Sequence, residues 1–271
     1  RCCCLSSDYA VKVLKIIEEV SGGDPLAASF INGLLVAATT TLGSLGVLFA
    51  RRSSLKLELE LAFAAGVMLV SSFTSLILPG IEQFGFPAIS LGIALGVLLI
   101  HLVDRFTPHE HLFKGYEGPP EAAKLLRKTA LLALAILIHN IPEGLVVGVA
   151  TFYSIPLGVV TAVAIGTQDI PEGFAVALPV SKLRGKAAGV AVGALSGLSE
   201  TVAAVLAAAL LQYTPHLLPL AMGLAGGAML YVTLKELIPE IYREDASELK
   251  VTLGFLLGFY LMLLLDTMLT G

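Results

Sequence analysis

Long apolar runs alternate with short polar stretches along almost the whole chain. A helix needs about 20 predominantly apolar residues to cross the hydrocarbon core of a bilayer. Eight runs are of about that length, at roughly residues 26–50, 60–81, 86–104, 129–152, 156–179, 187–211, 217–239 and 251–270. The pattern therefore predicts an all-α integral membrane protein with eight transmembrane helices.

Basic residues are unevenly distributed among the connections between these runs. The connections after runs two, four and six contain no Lys or Arg, whereas those after the odd-numbered runs do. The basic residues are Arg51, Arg52 and Lys56, then Arg105, Lys114, Lys124, Arg127 and Lys128, then Lys182, Arg184 and Lys186, and finally Arg243 and Lys250. Because cytoplasmic loops are enriched in Lys and Arg, we expect a multi-pass protein of the cell inner membrane with both termini extracytoplasmic.

Composition narrows the class of function. Hydrophobic residues make up 56% of the chain and charged residues 14%, whereas a soluble domain is about 25% charged. There is no basic tract of the kind that binds nucleic acid, so the expected surroundings are lipid. We expect residues 1–25 to form an extracytoplasmic segment, with a surface helix near residues 9–20, and residues 26–271 to form one eight-helix domain.

Two related motifs place acidic residues inside predicted spans four and five. Residues 139–144 read HNIPEG and residues 168–173 read QDIPEG. Ionisable groups at the centre of a bilayer cost about 2.5–3.5 kcal/mol on insertion scales and are functional candidates by default. Since prolines free backbone carbonyls that must face protein or water, both motifs are predicted to face an internal cavity. Gly144 and Gly173 are predicted to let these two helices pack closely together.

Helical spacing brings the polar residues of each motif together. Residues three and four positions apart share one helix face, so His139 and Asn140 lie beside Glu143, and Gln168 and Asp169 lie beside Glu172. Span six adds Glu200. Four carboxylates cannot all stay ionised in a low-dielectric pocket without cations or protons. Mixed nitrogen and oxygen donors suit divalent ions such as Zn²⁺, Fe²⁺ and Mn²⁺, so the sequence predicts a divalent-metal site.

The chain also contains an internal repeat. Span two contains AGVML followed by LILP at residues 65–69 and 76–79, and span seven contains GGAML followed by ELIP at residues 226–230 and 236–239. The predicted topology orients the two spans in opposite directions. Inverted repeats with a polar site at their interface are typical of transporters. We therefore expect spans one to three to be repeated in spans six to eight, with spans four and five paired around the metal site.

The two motifs, the acidic sixth span and residues 106–111 (FTPHEH) together resemble the ZIP family of divalent-metal transporters, most closely its bacterial branch. The resemblance covers residues 26–271. It implies a two-metal centre, with one ion held by Met68, His139, Glu143, Gln168 and Glu172 and the second held by Asn140, Asp169 and Glu200, while Glu143 and Glu172 bridge both. It further implies an elevator-like motion of spans one, four, five and six against the others. It leaves a homodimer open and implies no enzymatic cofactor.

The chain departs from the pattern of this family in ways that bear on metal preference. Many members have His where this chain has Gln168, and some have Ser or Asp where it has Glu143. Long His-rich loops are absent, and only His109 and His111 follow span three. The expected cargo is therefore Zn²⁺, with Cd²⁺, Fe²⁺ and Mn²⁺ also accepted.

Several residues have ordinary structural explanations. From the sequence alone Met68 is more simply a packing residue, and Glu236 is either neutralised by Lys235 or part of the ion path. His101, Asp104 and Asp266 lie near span ends, where snorkelling to the interface is the default.

Two functions remain open from the residues alone. The first is uptake of divalent transition metals into the cytoplasm, which the inverted repeat favours. The alternative is an intramembrane metal-dependent hydrolase, in which the metal would activate water. The usual His-Glu-x-x-His signature of metalloproteases is absent.

Overall fold

Eight long helices account for most of the described residues in the computed structural model, which are 16–49, 58–107, 109–111, 115–117, 128–242 and 246–269. They are α1 (Pro25–Leu45), α2 (Glu58–Phe84), α3 (Phe86–Phe106), α4 (Lys128–Tyr153), α5 (Ile155–Arg184), α6 (Lys186–Tyr213), α7 (Leu218–Val232, continued by Thr233–Leu237 and Ile238–Ile241) and α8 (Glu248–Leu269). Short 3₁₀ turns flank two of them, at Gly46–Leu48 and Pro215–Leu217. An antiparallel pair of three-residue strands, β1 (His109–His111) and β2 (Gly115–Glu117), follows α3.

These helices overlap the apolar runs of the sequence, and the structure fits the predicted all-α class of membrane protein. Six of them, α1, α2, α3, α6, α7 and α8, are long and apolar enough by composition to cross a membrane. The helices outside these six are α4 and α5, which bear the two Pro-Glu-Gly motifs. Of the predicted N-terminal surface helix only residues 16–20 fall among the described residues, and they are helical, with Ile17 buried.

Local sequence signals set several helix ends. Asp24 caps α1 by accepting hydrogen bonds from the backbone N–H groups of Leu26 and Ala27, as expected for an acidic N-cap before a proline. Single glycines connect α2 to α3 and α5 to α6, with φ of 85° at Gly85 and 92° at Gly185. Only glycine adopts such backbone angles without strain, so each pair reverses direction within one residue.

The helices pack in two groups. The first, which we call the central group, consists of α1, α4, α5 and α6, which contact one another extensively. The second, the outer group, consists of two close pairs, α2 with α8 and α3 with α7. The contacts between the two groups are made mainly by α4 against α7 and by α5 against α2 and α8.

Glycines allow the closest approaches within the central group. A Cβ at Gly144 would lie 2.3 Å from the carbonyl oxygen of Glu200 in α6, and one at Gly173 would lie 2.2 Å from that of Thr40 in α1. The prediction that these two glycines bring α4 and α5 against each other is therefore wrong. Gly144 packs α4 against α6, and Gly173 packs α5 against α1. The neighbour depends on which side of the helix each glycine occupies in the folded structure, and not on the similarity of the two motifs.

Both helices with the similar sequence segments, α2 and α7, change to π-helical geometry just before Pro79 and Pro239, respectively. The π-helical stretches are Ser72–Ile77 in α2 and Thr233–Leu237 in α7. Such bulges insert an extra residue into the turn and are frequent at functional sites. Their matched positions extend the sequence similarity of these two segments to their backbone geometry.

Candidate metal centre

Seven of the eight predicted site residues come from three helices of the central group, and the eighth, Met68, lies on α2. His139, Asn140 and Glu143 lie on α4, Gln168, Asp169 and Glu172 lie on α5, and Glu200 lies on α6. Glu143, Asp169 and Glu200 each place one carboxylate oxygen within 4.8 Å of the others, and all three side chains are at most 1% exposed. The structure therefore brings together three acids that are far apart in the sequence.

Two amides hold this cluster in place. The Nδ2 of Asn140 donates to Oε1 of Glu200, and the Nε2 of Gln168 donates to Oε1 of Glu143. Within the described residues, both carboxylate oxygens of Asp169 lack a hydrogen-bond partner. The Oε2 atom of Glu143 lacks one as well. Buried carboxylates normally carry an ion partner or hydrogen bonds, since desolvation is otherwise costly. The arrangement is therefore suited to receive a cation.

His139 lies between two further carboxylates. Its Nε2 is 3.3 Å from Oε1 of Glu172, and its Nδ1 is 3.3 Å from Oε2 of Glu236 on α7. A histidine that binds metal through one ring nitrogen commonly donates its other N–H to a carboxylate, which sets the tautomer and the ring orientation. The geometry suits Nε2 for a metal on the side of Glu172 and Nδ1–H for Glu236.

Glu236 and Thr40 contact residues of this cluster, although the sequence left open whether Glu236 is part of the ion path and gave no indication for Thr40. Glu236 is 3% exposed and reaches His139 from the outer group. The hydroxyl of Thr40 on α1 donates to the backbone carbonyl of Val36 and lies 3.4 Å from Oε1 of Glu200. An acidic residue inside an apolar repeat is a sequence feature that could have indicated Glu236 as part of the site. A threonine in an apolar helix is common, so the sequence gives no such indication for Thr40.

The remaining candidates lie away from this carboxylate cluster or stay undecided. Met68 on α2 is fully buried within the main hydrophobic core, and its role as a metal ligand stays a prediction. The expectation that Asp104 snorkels to the interface is wrong, because this side chain is 1% exposed and forms an ion pair with Lys235. Packing of α3 against α7 encloses it.

A separate cavity of about 490 Å³ lies where the connection between α4 and α5 meets the ends of α2 and α8. Its lining includes Glu82, Tyr153, Ser154 and Asp266. The loop charges place this end on the extracytoplasmic side in the predicted topology.

Comparison of the sequence with known proteins gives a family in which to interpret this buried cluster of acids, amides and one imidazole. Residues 110–266 match the family model described as ZIP Zinc transporter. The chain is 39% identical over 269 residues to Zinc transporter ZIPB of Bordetella bronchiseptica, covering 94% of this chain and 86% of that protein. The chain belongs to the ZIP family of zinc transporters.

Other relatives agree with this assignment. Zinc transporter GufA of Myxococcus xanthus is 36% identical over 253 residues, which cover 89% of this chain and 98% of that protein. Zinc transporter ZupT of Escherichia coli is 32% identical over 253 residues, with 88% and 98% covered. The predicted family is confirmed, and these relatives are named as transporters rather than enzymes, so the hydrolase alternative has no support.

Proposed function

We propose that this ZIP-family chain moves divalent transition-metal ions, primarily Zn²⁺, across the cell inner membrane into the cytoplasm through the buried carboxylate cluster. The observation that supports this most directly is the convergence of Glu143, Asp169 and Glu200 within 4.8 Å. Acid oxygens without hydrogen-bond partners in an apolar surrounding favour a cation over an empty pocket. The names of the relatives point to zinc, and Cd²⁺, Fe²⁺ and Mn²⁺ are further candidate cargoes.

The cluster contains enough candidate ligand side chains to bind two ions. We assign the first ion to Met68, His139, Glu143, Gln168 and Glu172 and the second to Asn140, Asp169 and Glu200, with Glu143 and Glu172 bridging. The amides support this assignment, since Asn140 and Gln168 currently donate N–H groups while their side-chain oxygens have no partner in the described part of the chain. Rotation of each amide would present an oxygen to a metal, and hard oxygen donors broaden the range of ions accepted.

We infer that all eight helices cross the membrane, with α2 and α7 related by an inverted repeat. The matching π-helical stretches before Pro79 and Pro239 support this relation. In the proposed topology α4 and α5 carry the site at the repeat interface, where transporters bind their substrates. Residues 26–271 would then form one transport domain, and residues 1–25 an extracytoplasmic segment. A homodimer stays a prediction from the family.

We further infer that the central group slides as a unit against the outer group. Close backbone contacts at glycines lie inside the groups: Gly43 and Gly173 join α1 to α5, and Gly144 and Gly148 join α4 to α6. In the outer group Gly66 and Gly258 join α2 to α8. Between the groups, Val67, Val70, Ala164 and Met262 form an apolar side-chain cluster. Side chains repack more easily than interlocked backbones, so motion is expected along this boundary.

Metal uptake into proteoliposomes tests the proposal. Glu172→Gln and His139→Ala are expected to abolish saturable Zn²⁺ uptake, because each removes a ligand at the centre. Glu248→Ala and His216→Ala serve as matched controls, since both side chains are exposed at helix ends, and both are expected to retain uptake. Competition by Cd²⁺, Fe²⁺ and Mn²⁺ gives the order of preference. Metal binding without flux in sealed wild-type vesicles would overturn the proposal.

A further inference from the structure

One buried hydroxyl close to the proposed metal centre lacks a hydrogen-bond partner. Ser196 on α6 is 1% exposed, and its Oγ makes no hydrogen bond within the described part of the chain. The hydroxyls of Thr40 and Ser199, in contrast, each donate to a backbone carbonyl of their own helix. Since a buried polar group normally has a hydrogen-bond partner, the hydroxyl of Ser196 requires an explanation.

The packing of α4 against α6 defines what lies opposite this residue. A Cβ at Gly144 of α4 would lie 2.3 Å from the carbonyl oxygen of Glu200 in α6, and a Cβ at Gly148 would lie 2.3 Å from that of Ala204. The contact advances by four residues on both helices at once. The two helices therefore run parallel at this interface, with one turn of α4 facing one turn of α6.

This register places Ser196 level with Asn140, one turn before the contact of Gly144. Ser196 also lies one turn before Glu200 on the same face of α6, and Asn140 donates to Glu200 across the interface. The Oδ1 atom of Asn140 is buried and has no hydrogen-bond partner among the described residues. An amide oxygen and a hydroxyl, both unpartnered, therefore lie at the same level of one helix interface.

Binding of a metal ion would reverse the amide of Asn140. In the structure its Nδ2 donates to Oε1 of Glu200, whereas a metal ligand must present the amide oxygen, because the N–H groups are donors only. A half-turn of the amide exchanges the positions of Oδ1 and Nδ2. The N–H groups then leave Glu200 and need a new acceptor, since a buried donor without a partner is costly.

We propose that Ser196 is a positioning residue that holds the amide of Asn140 with its oxygen turned towards the metal. A hydroxyl both donates and accepts, so Ser196 can donate to Oδ1 in the metal-free orientation and accept from Nδ2 in the metal-bound one. Ser196 does not touch the ion. This inference rests on the proposed role of Asn140 as a ligand, and it adds the group that sets the orientation of that ligand.

The ordinary alternative is that Ser196 is only a small residue that lets α6 pack closely. Its neighbour Gly197 has that role, because a Cβ there would lie 2.7 Å from the Cα of Ala37 in α1. Alanine at position 196 would pack as well as serine does, and it is the stronger helix former. Ser196→Ala therefore separates the two roles, because only the loss of positioning lowers the affinity for metal.

The test is competition dialysis of purified full-length protein with Zn²⁺ against a chelator of known affinity. Ser196→Ala is expected to weaken the same binding step that Asn140→Ala weakens, by about ten-fold, as when a hydrogen-bond partner of a metal ligand is removed. Ser196→Thr keeps the hydroxyl and is expected to restore the affinity. Ser199→Ala is the matched control on the same helix, since its hydroxyl bonds only to the carbonyl of Ser196, and it is expected to match wild type.

A double-mutant cycle shows whether Ser196 acts through Asn140. With Asn140→Ala there is no amide to orient, so adding Ser196→Ala should cause no further loss of zinc affinity. Wild-type affinity in Ser196→Ala alone would overturn the inference, and so would the same loss repeated in the Asn140→Ala background. Wild-type affinity in Asn140→Ala would refute both the ligand and its positioning residue. Absence of flux in wild-type proteoliposomes would refute the proposed transport alone, since the binding cycle does not require flux.

Discussion

Gly173 in α5 follows Glu172, a proposed metal ligand, and packs against the backbone of α1. A Cβ at this position would lie 2.2 Å from the carbonyl oxygen of Thr40, whereas ordinary contact begins at 3.4 Å. Backbone atoms cannot rotate away as a side chain can, so Gly173→Ala must separate the helices by about 1 Å, at an overpacking cost of about 1–3 kcal/mol. That shift also moves Glu172 away from the ligands on α4 and α6.

The size of this displacement decides whether Gly173→Ala changes only the stability of the protein or also its affinity for metal. Metal–ligand distances are tolerated only within about 0.2 Å, and a displacement of about 1 Å exceeds this several-fold. We therefore expect the zinc affinity of Gly173→Ala to fall about ten-fold or more, within the range seen when supporting groups of metal sites are lost. Titration of Zn²⁺ into the purified protein measures the affinity, and thermal unfolding in detergent measures the stability.

Gly166→Ala is the matched control for this experiment. It lies on the same helix and faces the same neighbour, but its Cβ would meet side-chain atoms of Thr39 and Leu35 at 2.9 and 3.3 Å. Those atoms can shift, so this variant is expected to bind zinc nearly as wild type does. Equal zinc affinity in Gly173→Ala and wild type would refute the claim that backbone contact between α1 and α5 holds the site.

Three further predictions concern the ligands and the boundary between the groups. If the proposed centre holds two ions, Asp169→Asn is expected to reduce the bound zinc from two ions to one in equilibrium dialysis, and two retained ions would contradict the proposed role of Asp169. Met68→Leu keeps the volume but removes the soft sulfur, so uptake of Cd²⁺ should fall relative to Zn²⁺; an unchanged ratio would leave Met68 as a packing residue. Ser75→Ala removes a 2.9 Å hydrogen bond to Thr161 between α2 and α5, worth about 0.6 kcal/mol in membranes. In the proposed sliding motion, loss of this bond would change the equilibrium between the two positions of the central group by about three-fold. That change should alter thiol labelling of a cysteine introduced at Ser154, and unchanged labelling would contradict a role for this bond.

Local features of the chain were predictable where the cause is itself local. The helix positions follow from the lengths of apolar runs, because a span must match the thickness of the bilayer. Helical spacing places His139 and Glu143 on one helix face, and Gln168 and Glu172 on another, but the contacts run between the motifs, from Gln168 to Glu143 and from His139 to Glu172. Glu200 was also found, since an acid in a long apolar run with no basic partner on its own helix has few structural explanations.

Contacts between helices were not predictable in the same way. Lys235 and Glu236 are neighbours in sequence, which left open whether Glu236 is neutralised by Lys235 or is part of the ion path, whereas in the structure Lys235 pairs with Asp104 and Glu236 contacts His139. The sequence contains no information about which helix each face meets. For the same reason Asp104, which its position near a span end predicts at the interface, is instead buried by the packing of α3 against α7.

The sequence by itself determined the class of the protein, its helices, its family and most of the candidate ligands, because hydrophobicity, helical period and motif spacing act within one segment. Only the tertiary structure decided that Gly144 faces α6 while Gly173 faces α1, although both glycines end nearly identical motifs. The partner of a helix face depends on the rotation and crossing of whole helices, which the sum of all packing contacts sets. The same collective packing closes the carboxylate cluster and adds Thr40 and Glu236 to it.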